Sequence, residues 1–349
     1  MRRRSNKRDM IALVIALALV VAAIVTTGFF YHAPSAAEPV SAAVLEAAVS
    51  DTEDAYAKGV VDIDLSDLGS LDTDSVSVND GTLEIGSAGV YRLTGSLTGQ
   101  IEVNTKGKVY LELDGVSVTS PSGPALLVKS AKKLTLVLTE GSTNTLADTA
   151  GGDADSATLS SNDSLYFTGA GSLTVTGNNS EGIASDDAIV IQNGTIVVTA
   201  AGDGLAANDD ITINGGDISV TAKGDGLDSN GTVHVNSGTL AAFGGTAQGE
   251  GGVDVRGDFV ITGGTVVACG NLMAALADDS RQTSVYVTSA AVQAAGTAVS
   301  LQRDGEEVFV FTPGVAYENV LVSSADLTSG VTYQAYLGGK AGNLVLASR

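Results

Sequence analysis

The chain has 349 residues with 18 Lys+Arg against 40 Asp+Glu, a formal net charge of -22. So acidic a surface repels nucleic acid and anionic membranes, which excludes both as partners of the folded part. One cysteine, two histidines and no tryptophan leave nothing for a disulfide framework and little for a histidine-built zinc site, a Ser-His-Asp triad or a stacking platform for neutral glycans.

The N-terminus reads as an export element. Arg2, Arg3, Arg4, Lys7 and Arg8 precede an uncharged run from Met10 to Tyr31. That is long enough to span a bilayer as a signal anchor, while Ser35-Ala36-Ala37 offers a small-residue exit for a cleavable signal peptide; both remain open. Either way the rest of the chain is expected outside the cell, secreted or at the cell surface, with membrane contact only through residues 1–31. Residues 32–59, rich in Ala and acids, read as a linker. Without the basic run and Asp9 the balance is 13 basic against 39 acidic residues, a net charge of -26.

Residues 60–280 carry a repeat. Gly182-Ile183, Gly204-Leu205 and Gly226-Leu227 recur every 22 residues, and Gly194, Gly216 and Gly238 keep the same register. Weaker copies at Gly115, Gly141, Gly171 and Gly264 extend it, and 149–156 reads as a loop inserted between coils. Alternation places Ile189 and Ile191, Ile211 and Ile213, Val233 and Val235, then Phe259 and Ile261 inward, with Val190, Thr212, His234 and Val260 outward. A second strand carries Ile196 and Val198, Ile218 and Val220, Leu240 and Ala242, Val266 and Ala268; a shorter one begins at Ile183, Leu205, Leu227 and Val253. Three strands and three turns in about 22 residues predict an all-β fold, a right-handed parallel β-helix with coils about 4.8 Å apart. A propeller blade needs about 40 residues and four strands, and fits worse. Cys269 and His234 read as a buried thiol and a solvated strand residue.

Residues 60–108 are expected to open the helix or cap it. Residues 281–349 break the period and read as an antiparallel cap over the last coil's open edge. Within them Ala298-Val299-Ser300-Leu301 and Val308-Phe309-Val310-Phe311 predict a hairpin turning near Asp304-Gly305.

The acids are stacked by the repeat. Glu181, Asp203 and Asp225 precede the Gly-aliphatic step in successive coils; Asp228 follows Asp225 in Asp-Gly-Leu-Asp, and Glu250 and Asp254 flank the next step. Asp186, Asp187, Asn208, Asp209, Asp210 and Asn230 lie beyond it, where they also serve to open a turn. Like charges about 5 Å apart repel unless neutralised, and Ca2+ takes six to eight such oxygens at about 2.3–2.6 Å. The expected ligands are Asp203, Asp225 and Asp228, with Glu181, Asp186, Asp187, Asn208, Asp209, Asn230, Glu250 and Asp254 as further candidates. Against this stands the ordinary use of Asp-Gly and Asn-Gly as turn dipeptides and of Asn as a capping ladder.

The stretch from about Leu134 to Tyr336 resembles the carbohydrate-binding β-helix proteins of clostridial and related bacterial surfaces. The matching motifs are Leu136-Val137-Leu138, Gly141-Ser142-Thr143-Asn144-Thr145-Leu146, Glu181-Gly182-Ile183-Ala184-Ser185-Asp186-Asp187 and Ala201-Gly202-Asp203-Gly204-Leu205. Lys223-Gly224-Asp225-Gly226-Leu227-Asp228-Ser229, Gly257-Asp258-Phe259-Val260-Ile261-Thr262-Gly263-Gly264-Thr265, Phe311-Thr312-Pro313 and Tyr317 follow in the same order. The resemblance implies a non-catalytic, calcium-containing β-helix that binds an acidic plant cell-wall polysaccharide such as polygalacturonate. It also implies turns similar to those of β-helical pectate lyases, matched here by Asp225 and Asp228 with Asp203 one coil earlier. Two other readings stay open: a calcium-dependent lyase, for which Lys223 and Arg256 are the only bases between 181 and 258, and a surface rod with purely structural calcium. A monomer is expected.

Overall fold

A computed structural model describes residues 55–69, 71, 73–152 and 156–348. The expected export element and most of the expected linker lie outside them.

The repeat is a parallel β-solenoid with three strands per coil. Strands of the first face include Ile183–Ser185, Leu205–Ala207, Leu227–Ser229 and Val253–Val255, each paired in parallel with the next. Ile189–Ile191, Ile211–Ile213, Val233–Val235 and Phe259–Ile261 build the second face, and Thr195–Ala200, Asp217–Ala222, Thr239–Phe243 and Thr265–Gly270 the third. Equivalent residues pair in every coil: Ile189 with Ile211, Ile211 with Val233, Val233 with Phe259. All the aliphatic positions assigned inward are buried in one continuous core. His234 stays outward and half-buried. Val260 keeps the outward register yet is 2% exposed.

The two glycine markers have different physical causes. A Cβ on Gly204 would stand 1.9 Å from Val220 Cγ1 and 2.6 Å from the Gly226 carbonyl, so the step before Leu205 admits no side chain. Gly216 and Gly238 instead hold φ of 88° and 84°, a left-handed turn between the second and third faces that L-residues rarely adopt.

The opening residues are both coil and cap. Val60–Asp64 pairs in parallel with Gly89–Thr98, while Val76–Asn79 and Thr82–Ile85 form an antiparallel hairpin. At the other end, residues 271–282 follow the last coil, with Ala274 N–H donating to Val253 O and Ala277 N–H to Phe259 O. Tyr317–Ser323 then pairs antiparallel with Thr265–Gly270, converting the open parallel edge, and Ser284–Gln293 pairs beyond it. The predicted hairpin is present: Val299–Arg303 pairs with Glu306–Phe311 through Asp304 and Gly305, both at positive φ. With Thr332–Leu337 and Lys340–Leu346 it makes a four-stranded sheet. A second core forms beneath this cap, where Phe243, Val267 and Cys269 on the third face's outer side meet Tyr317, Tyr333 and Phe311. Cys269 is fully buried there, and burial pushes its thiol pKa far up.

Candidate functional site: a carboxylate cluster at one turn

The turn from the third face into the first carries the acids. Its backbone is held coil to coil: Gly204 N–H donates to Asp225 O, and Gly226 N–H to Gly251 O, both at 2.8 Å. The side chains repeat this one level out. Asp203 Oδ1 accepts the Asp225 N–H at 2.6 Å, and Asp225 Oδ1 accepts the Gly251 N–H at 2.6 Å. Each carboxylate therefore spends one oxygen on the next coil, which aligns the column.

Carboxylate oxygens of Asp203, Asp225 and Glu250 all lie within 4.8 Å of one another. Glu250 joins although it follows Asp225 by 25 residues, because the longer turn after Phe243 returns to register before Gly251. Asp228 and Asp254 are register neighbours on the first face and point outward, both half-buried. Glu181 sits one coil before Asp203 and accepts a hydrogen bond from Ser180 Oγ at 2.8 Å.

The electrostatics are those of an unneutralised cluster. Asp225 is 8% exposed; burial first, then the charges of Asp203, Glu250 and Asp254, push its pKa up to about 7 against the opposing Gly251 N–H. Asp203 is raised by burial, opposed by the Asp225 N–H and reinforced by Glu181 and Asp254. Asp228 is raised by burial and then by Asp203 and Asp254, with Arg256 alone pulling it down among its charged neighbours. Salt bridges away from this turn include those from Arg92 to Asp62 and Glu112 and from Lys129 to Glu102.

The remaining candidates occupy the next turn, between the first and second faces. Asn230 Nδ2 donates to Asn208 Oδ1 at 3.1 Å, and Asn208 Nδ2 to Asp186 Oδ1 at 3.3 Å, an exposed ladder along the axis. Asp187 and Asp209 accept through their backbone carbonyls from Asp209 and Gly231 N–H, and Asp210 Oδ1 accepts from Thr232 N–H and Oγ1. These residues stand outside the carboxylate trio. Of the possible bases, Lys223 and Arg256 are both exposed.

Fold and site together define a parallel β-solenoid that presents a partly buried carboxylate cluster along one turn. Residues 79–308 match the carbohydrate-binding domain-containing protein family, and the chain belongs to it. A carbohydrate-binding domain-containing protein of Acetivibrio thermocellus is 33% identical over 159 residues, which cover 43% of this chain and 55% of the relative. The matched stretch thus spans just over half of that relative's length. The solved structure of a polysaccharide lyase-like protein from C. thermocellum, a gadolinium derivative, is similar with a TM-score of 0.47 and 24% identity, over 63% of this chain and 96% of that one.

Proposed function

We propose that this protein is a non-catalytic, extracellular binder of acidic polysaccharide whose cluster holds Ca2+. The family description supplies carbohydrate binding. The trio of Asp203, Asp225 and Glu250 carries the rest: three carboxylate oxygens within 4.8 Å of one another can all reach one ion at the Ca–O distance of about 2.3–2.6 Å. The donors are all hard oxygens, one of them on a nearly buried acid held against its neighbours' charge, which suits Ca2+ better than Mg2+ with its near-ideal octahedron. Asp228 and Asp254, outward beside the trio, would face the glycan. With so negative a protein, a uronate-rich chain is accepted when carboxylates of both partners share the cation.

Retardation in an affinity gel containing polygalacturonate, with calcium or with a chelator, tests this reading. Retardation only in calcium is expected, and unhindered migration in saturating calcium refutes it. New ultraviolet absorbance from unsaturated uronate products would instead make the protein a lyase, with Arg256 beside Asp228 as the first base to examine. A chelator that lowers the melting temperature while glycan retention persists would make the calcium structural.

A further inference from the structure

The first face opens on a hollow. Val76–Asn79 and Thr82–Ile85 form the antiparallel hairpin, and Gln100–Asn104 stacks on Thr82–Ile85 in parallel. Leu83 and Ile85 turn into the core, so register sets Ser77, Glu84 and Glu102 side by side on the outer surface. The next outward row is Ser75, Gly86 and Asn104, with the Gly86 N–H donating to Ser75 O at 3.0 Å. Gly86 brings no side chain to that row, and a Cβ built there meets nothing within 4 Å. The gap is a cavity of about 190 Å³ lined by both rows together with Thr73 and Asp74. Asp74, Gly86 and Asn104 are exposed, so the hollow opens to solvent. It is larger than the roughly 150 Å³ that accepts a benzene ring, so one six-membered sugar ring can enter with its substituents toward solvent.

Two carboxylates are held in place at this hollow. Ser77 Oγ donates to Glu84 Oε2 at 3.2 Å, and Lys129 Nζ pairs with Glu102 Oε2 at 2.8 Å. Each is oriented through one oxygen and has a second with which to accept from a ligand. Lys129 offsets Glu102, which leaves Glu84 and Asp74 to set the charge of the lining. The wall beside them is firm: Thr73 N–H donates to Val76 O at 2.9 Å, and Thr73 Oγ1 accepts the Val76 N–H at 3.1 Å.

We propose that this hollow binds one amino sugar residue with a free ammonium, which bridges Glu84 and Glu102 without a metal. An ammonium has three donors and no acceptor, which matches two carboxylates on adjacent strands about 4.8 Å apart. Ser75, Ser77 and Asn104 supply donors and acceptors for the ring hydroxyls. A uronate is repelled by the same lining. Calcium is served elsewhere: among the described residues, the three carboxylates that converge within 4.8 Å are Asp203, Asp225 and Glu250. Five strand spacings, about 24 Å, separate Glu102 from Asp228 along the same face, so the two sites are distinct. The inference goes beyond the acidic-glycan reading and needs only the carbohydrate binding of the family.

Full-length protein in a chelator, where metal-dependent binding is silent, is titrated by calorimetry with glucosamine trisaccharide and with its N-acetylated form. Saturable binding of the free amine is expected, with the acetylated form at least about 10-fold weaker, the worth of one charge-assisted hydrogen bond. Glu84→Gln keeps an oxygen for Ser77 and should weaken binding about 10-fold. Gly86→Leu, entering open space at an ordinary φ, should abolish it. Circular dichroism confirms that the variants fold, and Glu84→Gln keeps the test valid should Gly86→Leu misfold. Asp278→Asn removes an exposed charge elsewhere and should leave binding unchanged. Equal affinity for the two sugars, or equal weakening by Asp278→Asn, overturns the site and reduces the binding to attraction by the acidic surface. Absence of binding in chelator overturns it too, and leaves the acidic-glycan reading to its own calcium-dependent gel.

Discussion

Replacing Asp225 by Asn should reverse its effect on stability according to whether calcium is present. The Asp225 pKa rises from 3.8 to about 7 in the folded protein, so the folded state disfavours the ionised form. The contribution of Asp225 to metal-free stability is therefore greatest below pH 4, falls as pH rises to about 7, and levels off above it. The shift of about 3 units is worth about 4 kcal/mol at full value; solvent at the cluster's outer edge reduces this to roughly 2 kcal/mol. Asn keeps an oxygen to accept the Gly251 N–H but carries no charge. At pH 8 in chelator, Asp225→Asn should thus raise stability by roughly 2 kcal/mol, about 4 °C or more in melting temperature. With calcium at about 100 times its Kd the native protein gains about 2.7 kcal/mol and the variant loses most of that gain, so the order inverts. Melting curves by circular dichroism at pH 5 and pH 8, with calcium and with chelator, supply the four comparisons. A variant that melts below the native protein in chelator at pH 8, or a native protein indifferent to calcium, refutes the reasoning.

Three further outcomes follow from packing. Gly204→Ala puts a methyl 1.9 Å from Val220 Cγ1, and such overpacking should cost at least about 2 kcal/mol in a denaturant melt; a loss under about 0.5 kcal/mol would show that the coil yields. Cys269, fully buried with its thiolate strongly disfavoured, should resist alkylating reagents in the native protein and react stoichiometrically in denaturant, as read by mass spectrometry. Truncation after residue 282 bares the edge of Thr265–Gly270 together with Phe243 and Val267, so size-exclusion chromatography should find oligomers or aggregate where the full chain elutes as one species.

The fold was legible because two independent steric demands fall on glycine in each coil between Gly182 and Gly264. The step at Gly204 has no room for a Cβ, and the turn at Gly216 needs a positive φ, so composition had to repeat with the backbone. The opening coils were less legible because their turns differ in length and a hairpin interrupts them, although the core beneath is continuous. In the site, the acids before each glycine step were readable as a column. Asp186, Asn208 and Asn230 repeat with the same period and similar chemistry, and only the strand between the two turns separates them from that column. They bond to one another along the axis instead.

A protein of net charge -22 that binds an acidic glycan faces repulsion over most of its surface, and one local remedy is compatible with that field. It concentrates carboxylates until a hard cation is favoured and lets the glycan share it. A cation held by several carboxylates around the nearly buried Asp225 is screened little by salt, whereas exposed charges are screened over about 8 Å at physiological ionic strength. Raising monovalent salt at fixed calcium should therefore leave the calcium-dependent part of glycan retention standing. If that part declines with salt, the trio around Asp225 is acting as a diffuse negative surface rather than as a metal site.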